Sequence, residues 1–226
     1  MRAMILAAGR GERLRPLTDR IPKALVEAAG RTLLDRHLDR IEGAGIREVV
    51  INLAHLAGSI EAHLQAHPRP ALAIALSVEA EALETAGGIA NVRERLGAAP
   101  FLLLNADVYC EIDLARLRAW SLGNDLAHLV LVANPAHRPE GDFSLVEGRV
   151  GTQGTPRYTY AGIAVLSPQL VRGIRAGDKA PLAPLLRAAA DAGRVSGERY
   201  PGTWFDVGTT ERLAALDAHL AAGHDH

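Results

Sequence analysis

Apolar positions in the first half of the chain follow two rhythms that take turns: short solid runs, and stripes with a period near 3.6 residues. Ala3, Met4 and Ile5 form a short apolar run. Leu33, Leu34, Leu38 and Ile41 then recur at helical spacing, and Gly43 and Gly45 follow as stop signals. Residues 48–54 (EVVINLA) predict a buried strand, Ser59 a cap for a short helix carrying Ile60 and Leu64, and residues 71–78 the next strand. Thr85 and the pair Gly87-Gly88 predict a helix start, with Ile89, Val92 and Leu96 along one face. Phe101–Asn105 (FLLLN) is apolar up to its last residue, and a helix over 113–120 and a strand over 127–133 follow. Strands joined by helices imply a parallel, doubly wound sheet of the α/β class, with ligands at the carboxyl ends of the strands.

The rhythm changes after Asn134-Pro135. Gly141-Asp142, Gly148, Gly151-Thr152 and Gly154-Thr155-Pro156 punctuate short segments, which predicts a small antiparallel extension at one end of the sheet. Residues 159–166 (TYAGIAVL) make a strand in which Gly162 permits close backbone approach. Helices are expected over 181–192 and 210–222, the second with Leu213, Leu216 and Leu220 on one face.

A chain of 226 residues suffices for one large domain, and nothing in it marks a boundary. Its net charge of −1 lacks the basic surplus that nucleic-acid binding needs. Cys110 is the one cysteine, so no internal disulfide forms, and no apolar run is long enough to span a bilayer. A cytoplasmic protein is expected, and the oligomeric state is left open. Cys110 has no adjacent histidine to make it a thiolate and reads as packing. His63 and His67 lie four apart but lack the glutamate of a zinc-binding helix, so they read as surface residues, and His219, His224 and His226 as a frayed terminus.

Candidate chemistry concentrates in residues 6–25, LAAGRGERLRPLTDRIPKAL. Gly9 and Gly11 can take positive φ and let backbone N–H groups approach phosphate oxygens. Arg13 and Arg15 add forked cationic donors, and Pro16 and Pro22 keep Lys23 in a loop. Of 25 basic residues only Lys23 and Lys179 are lysines, which suits Lys23 to a role as a compact point charge; Lys179 also reads as an ordinary surface lysine. A dinucleotide fingerprint is excluded, because Leu14 stands where its third glycine belongs, and no Gly-Lys pair exists for a P-loop. Asp107 emerges from the end of an apolar strand, badly placed for packing and well placed for a metal ion.

The ordered set of Ala-Ala-Gly-x-Gly, Arg13, Pro-Leu-Thr and Pro22-Lys23 resembles the signature of the sugar-1-phosphate nucleotidyltransferases. That resemblance implies a Rossmann-like single domain, residues 1–133 mainly for the nucleotide and 134–226 mainly for the sugar. It implies Arg13, Lys23 and Asp107 as catalytic groups, and Ala8, Gly9, Gly11, Glu12 and Arg13 around the nucleotide phosphates. Glu79, Glu84 and Gly88 become candidate base readers, although that segment reads equally as a helix cap with no ligand. Asn105, Asn134, Asp142, Thr159, Gly162 and Lys179 become candidate sugar contacts, residue types that turns and strands also use structurally. Asp206 in GTWFDVGT, alone a plausible turn residue, pairs with Asp107 as a second ligand for Mg2+.

Within the family the likeness is closest to the uridylyltransferases that act on N-acetylmuramate 1-phosphate with UTP in bacterial cell-wall recycling. It is carried by LETxGGI, HRPEGDFSL, TYAGI and the run from Pro184 to Thr209, with Ala86 and Ala106 standing where relatives have glycine. The lactyl carboxylate of such a substrate calls for a cation, with Lys179, Arg187 and Arg138 as unranked candidates. Guanylyl- or thymidylyltransferases of the same family, and a nucleotide-sugar-sensing regulatory subunit, are the alternative readings.

Overall fold

The computed structural model describes residues 1–223. The chain opens with β1 (Ala3–Leu6), runs through three single-turn 3-10 helices and the hairpin β2 (Glu27–Ala28) and β3 (Arg31–Thr32), and enters α1 (Leu33–Gly43). Thr32 caps this helix, its hydroxyl oxygen accepting from the Asp35 N–H at 3.0 Å. Then come β4 (Glu48–Leu53), α2 (Ala57–Ala66), β5 (Ala73–Val78), α3 (Glu84–Asn91), α4 (Arg93–Leu96), β6 (Phe101–Asn105), β7 (Val108–Cys110), α5 (Leu114–Arg118) and β8 (Ala127–Val132). The second half supplies β9 (Phe143–Val146), β10 (Arg149–Gly151), β11 (Arg157–Leu166), α6 (Leu182–Asp191), β12 (Val195–Arg199), β13 (Trp204–Asp206) and α7 (Thr210–Ala221).

Nine strands form one mixed sheet in the order β5-β4-β1-β6-β11-β8-β12-β10-β9. β5, β4, β1 and β6 run parallel, β11 enters antiparallel between β6 and β8, and β9 and β10 form the antiparallel extension. The central strands are buried on both faces because the pleat sends alternate side chains to opposite layers. Ala3, Ile5, Leu102 and Leu104 pack on the side of α1, while Met4, Phe101 and Leu103 pack on the side of α3 and α6. A third cluster, Leu14, Tyr109, Val207, Leu216 and Leu220, seats α7 beneath the segment that follows β1. Among the described residues no helix is long and apolar enough to cross a membrane.

Several sequence expectations shift. Ser59 lies inside α2, which starts at Ala57 behind Leu56 in the left-handed region (φ 55°) and has no side-chain cap. Gly87 and Gly88 sit within α3 rather than at its start, and the helix breaks at Val92. His63 is largely shielded, with Nε2 2.9 Å from the Asp35 carboxylate, in a cluster with Arg69; His67 is exposed as expected. His219 belongs to α7 and its ring packs against Phe205, while His224 and His226 lie outside the described residues. Cys110 is fully buried, and burial pushes its thiol up to about 11, so it packs and does not react.

Candidate active site

The carboxyl ends of β1, β4 and β6 open onto a cleft of about 330 Å³, where parallel sheets of this class place their ligands. Ala7, Ala8, Gly9 and Gly11 supply the glycine-turn wall, and Lys23, Asp107, Ala82, Glu84 and Thr85 also line it. Of the two glycines only Gly11 has positive φ, at 69°. A Cβ there would lie 2.9 Å from Thr18 Cγ2 and 3.3 Å from Lys23 Cβ, and Thr18 Oγ1 donates to the Gly11 carbonyl at 2.8 Å, so turn and lysine are packed as one unit. A Cβ on Gly9 would meet nothing within 4 Å, which leaves its backbone open to the cleft.

Three loops are tied together behind this wall. The Ala7 N–H donates to the Asn52 side-chain oxygen at 3.1 Å, Asn52 Nδ2 donates to Glu79 Oε1 at 2.8 Å, and the Leu83 N–H donates to Glu79 Oε2 at 2.9 Å. Asn52 and Glu79 are 2% and 4% exposed, so the relay is shielded from competing water.

The two acidic candidates meet through the small sheet β7–β13. Asp206 lies opposite Val108, and the Val207 N–H donates to the Asp107 carbonyl at 2.8 Å. Each carboxylate has a cationic partner. Lys23 Nζ lies 2.5 Å from Asp107 Oδ2, and Arg212 Nη1 donates to both Asp206 oxygens, at 2.7 and 2.6 Å. His137 Nε2 stands 2.7 Å from the same Arg212 nitrogen, where it serves as the acceptor. A Cβ on Gly208 would lie 2.9 Å from Arg13 Nη2, which places the Arg13 guanidinium beside the Asp206 turn.

A second cleft of about 540 Å³ adjoins the first and shares Glu84, Thr85 and Asn105 with it. Its far wall comes from Phe143, Tyr160 and the first turns of α6, and it carries Arg138, Asp142 and Arg187. In β11 the pairing with β8 slips between Tyr160 and Ala164 at a bulge containing Gly162, φ 76°. A Cβ on Gly162 would come within 2.7 Å of Asn105 Nδ2, and the bulge frees the Ala161 carbonyl to accept from the Trp204 indole at 3.0 Å.

A family model described as Nucleotidyl transferase matches residues 2–152, more than half of the chain. The chain belongs to this family. An N-acetylmuramate alpha-1-phosphate uridylyltransferase of Neisseria meningitidis serogroup B is 47% identical to this nucleotidyl transferase over 98% of this chain and 99% of its own. The protein of the same name from Caulobacter vibrioides is 35% identical over 97% of this chain and 96% of its own. Among solved structures, a UDP-glucose pyrophosphorylase from Acinetobacter baumannii superposes with a TM-score of 0.82 at 17% identity, covering 99% of this chain and 94% of that one, a likeness of fold.

The nucleotidyl transferase brings Ala8, Gly9, Gly11, Lys23, Glu84, Asn105 and Asp107 together in the first cleft; Arg13 and Asp206 do not line it, and Asp206 is tied to the Asp107 backbone only through Val207. Glu84 holds a strained φ of 59° while facing both clefts. Other candidates stand elsewhere. Glu12 and Lys179 are exposed and line neither cleft, Glu79 is consumed by the relay, and Gly88 packs with its α carbon against Asn52 and Glu79. Asp142 lines the second cleft, but Asn134 and Thr159 lie behind it. Thr159 Oγ1 donates to Asn134 Oδ1, and Asn134 Nδ2 donates to the Pro139 and Arg157 carbonyls, which holds the loop between β8 and β9. Sequence reasoning missed Asn52, Arg212, His137 and Tyr160 as site residues. Arg212 lies three residues past GTWFDVGT, His137 opens HRPEGDFSL and Tyr160 sits in TYAGI, whereas nothing local marks Asn52.

Proposed function

We propose that this nucleotidyl transferase joins UTP and N-acetylmuramate 1-phosphate, releasing pyrophosphate and forming UDP-N-acetylmuramate. The observation that carries the reading is the end-to-end 47% identity with a protein named as a uridylyltransferase of that specificity; the glycine turn, Lys23 and Asp107 lining one cleft, with the Asp206 strand paired beside Asp107, support it. A phosphate oxygen of the sugar 1-phosphate attacks the α-phosphorus of UTP, the bond to the bridging oxygen of the β-phosphate breaks, and pyrophosphate leaves with the electron pair. The attacking phosphomonoester is already anionic at neutral pH, with a second pKa of about 6, so no general base is required. The barrier is the approach of two polyanions, and catalysis comes from positioning and charge neutralisation.

In this reading the Gly9–Gly11 backbone and Arg13 hold the departing pyrophosphate, and Lys23 neutralises the phosphoryl group in flight. Asp107 and Asp206 would hold Mg2+. Asp206 ends β13 and Asp107 stands in the turn just before its partner strand β7, an all-oxygen pair, and magnesium sites commonly use one or two carboxylates and complete their shell with water and substrate phosphates. The ion, when bound, supplies Lewis-acid stabilisation of the phosphate oxygens. Lys23 and Arg212, now paired with the two acids, would turn toward the phosphates. A UTP substrate and a single buried thiol agree with a cytoplasmic setting.

The test is pyrophosphate release across a matrix of nucleoside triphosphates and sugar 1-phosphates. UTP with N-acetylmuramate 1-phosphate is expected to give the highest kcat/KM; a preference for GTP with mannose 1-phosphate transfers the protein to another branch of the family. Asp107→Asn is expected to retain the wild-type melting temperature to within a few degrees and lose turnover by about 100-fold or more, the scale of removing a transition-state charge contact.

A further inference from the structure

The second cleft is lined by two arginines, Arg138 and Arg187, and two acids, Asp142 and Glu84. Of its two arginines, Arg138 is committed: Nη1 lies 3.3 Å from both oxygens of Asp142, whose Oδ2 also accepts the Tyr160 N–H at 2.9 Å. Arg187 has no hydrogen-bond or ion-pair partner among the described residues. It follows Ala183 by four residues on α6, so the two share the helix face that lines the cleft. The first turn of that ten-residue helix has no side-chain cap, and its N-terminal end adds partial positive charge on the same side.

Phe143, Pro181, Leu182 and Leu186 make the rest of the wall apolar. Such a surface suits methyl groups and strengthens any charge pair formed beside it.

We propose that Arg187 is the specificity residue that recognises a carboxylate carried by the acceptor sugar. The inference rests on the reading of the protein as a transferase for a carboxylated sugar 1-phosphate. It ranks the three sequence candidates: Lys179 lies outside the cleft, Arg138 is neutralised by Asp142, and Arg187 remains. A guanidinium fork can meet both carboxylate oxygens, which a lysine cannot reproduce.

The experiment compares kcat/KM with UTP for N-acetylmuramate 1-phosphate and for N-acetylglucosamine 1-phosphate, which differ by the lactyl ether. In Arg187→Gln the ratio of the two is expected to fall about 10- to 100-fold, mostly through KM for the carboxylated sugar, as for a lost hydrogen bond to a charged group. Arg187→Lys recovers part of that ratio. Equal losses on both sugars, or an unchanged ratio in Arg187→Gln, overturn the proposal. A wild-type enzyme indifferent to the lactyl group removes the parent reading and this inference with it, whereas wild-type selectivity that survives in Arg187→Gln removes the inference alone.

Discussion

Glu79→Gln probes the buried relay with almost no change of shape. In the native protein one carboxylate oxygen accepts from Asn52 Nδ2 at 2.8 Å and the other from the Leu83 N–H at 2.9 Å, at a residue 4% exposed. Glutamine offers one acceptor oxygen and one NH2 group, so in either amide orientation an N–H faces an N–H. The lost hydrogen bond costs about 1 kcal/mol and the stranded buried donor about 1 to 3, together about 3 kcal/mol. For a domain of this size each kcal/mol moves the melting midpoint by about 2–4 °C, so a fall of about 6–12 °C is expected by scanning calorimetry. The relay also fixes Ala7 at the start of the glycine turn and Leu83 just before Glu84 and Thr85, so kcat/KM should fall alongside stability. A double-mutant cycle of Asn52→Leu with Glu79→Leu should show coupling of at least about 1 kcal/mol, since the two share a direct contact. A Glu79→Gln protein that melts within about 2 °C of wild type, less than 1 kcal/mol on the same scale, would refute the account of these loops as tied through that carboxylate.

Three further outcomes follow from the same geometry. Gly11→Ala forces a β-carbon into the left-handed region and against Thr18 and Lys23, so initial-rate kinetics should show a kcat/KM loss of about tenfold or more, the size of a misplaced contact near the chemistry. Gly162→Ala strains the bulge and presses on Asn105, and urea titration should show a loss of about 1–3 kcal/mol, as for a residue held in an unfavourable region. His37 is buried beside the Asn105–Ala106 backbone, and burial, with the nearby Arg40 charge, lowers its pKa from 6.5 to about 4. Between those values the unfolded chain takes up a proton that the folded one refuses, so stability falls as pH drops from 6.5 toward 4, by up to about 3 kcal/mol at 1.36 kcal/mol per unit. Denaturation midpoints measured across that range should flatten in His37→Leu.

What the sequence disclosed and what it hid divide along the range of the interactions. Phe101–Asn105 was legible to the residue because a strand buried on both faces needs an unbroken apolar run. The turn at Gly11 and the nearby Lys23 were legible because their motif is local. Gly87 and Gly88 misled, because the sequence signal for a turn is also the signal for close tertiary approach: a Cβ on Gly88 would meet Asn52 and Glu79, and one on Gly87 the Asp178 carbonyl. Asp35 and His63 stand 28 residues apart, Asn52 and Glu79 stand 27 apart, and nothing in either neighbourhood announces the other. Glu79 looked like a base reader because a buried carboxylate and a ligand-facing one have the same letter. Arg138 and Arg187 were indistinguishable until the fold showed that Asp142 had already claimed the first.

The wall common to the two clefts constrains how this protein can be altered. Glu84, Thr85 and Asn105 face both chambers, so a change at any of them, made to admit a new ligand in one, also disturbs the other. Pro181, Ala183 and Arg187 border only the larger chamber. Libraries aimed at the larger chamber alone belong on that helix turn, where its lining can drift while the smaller chamber stays anchored.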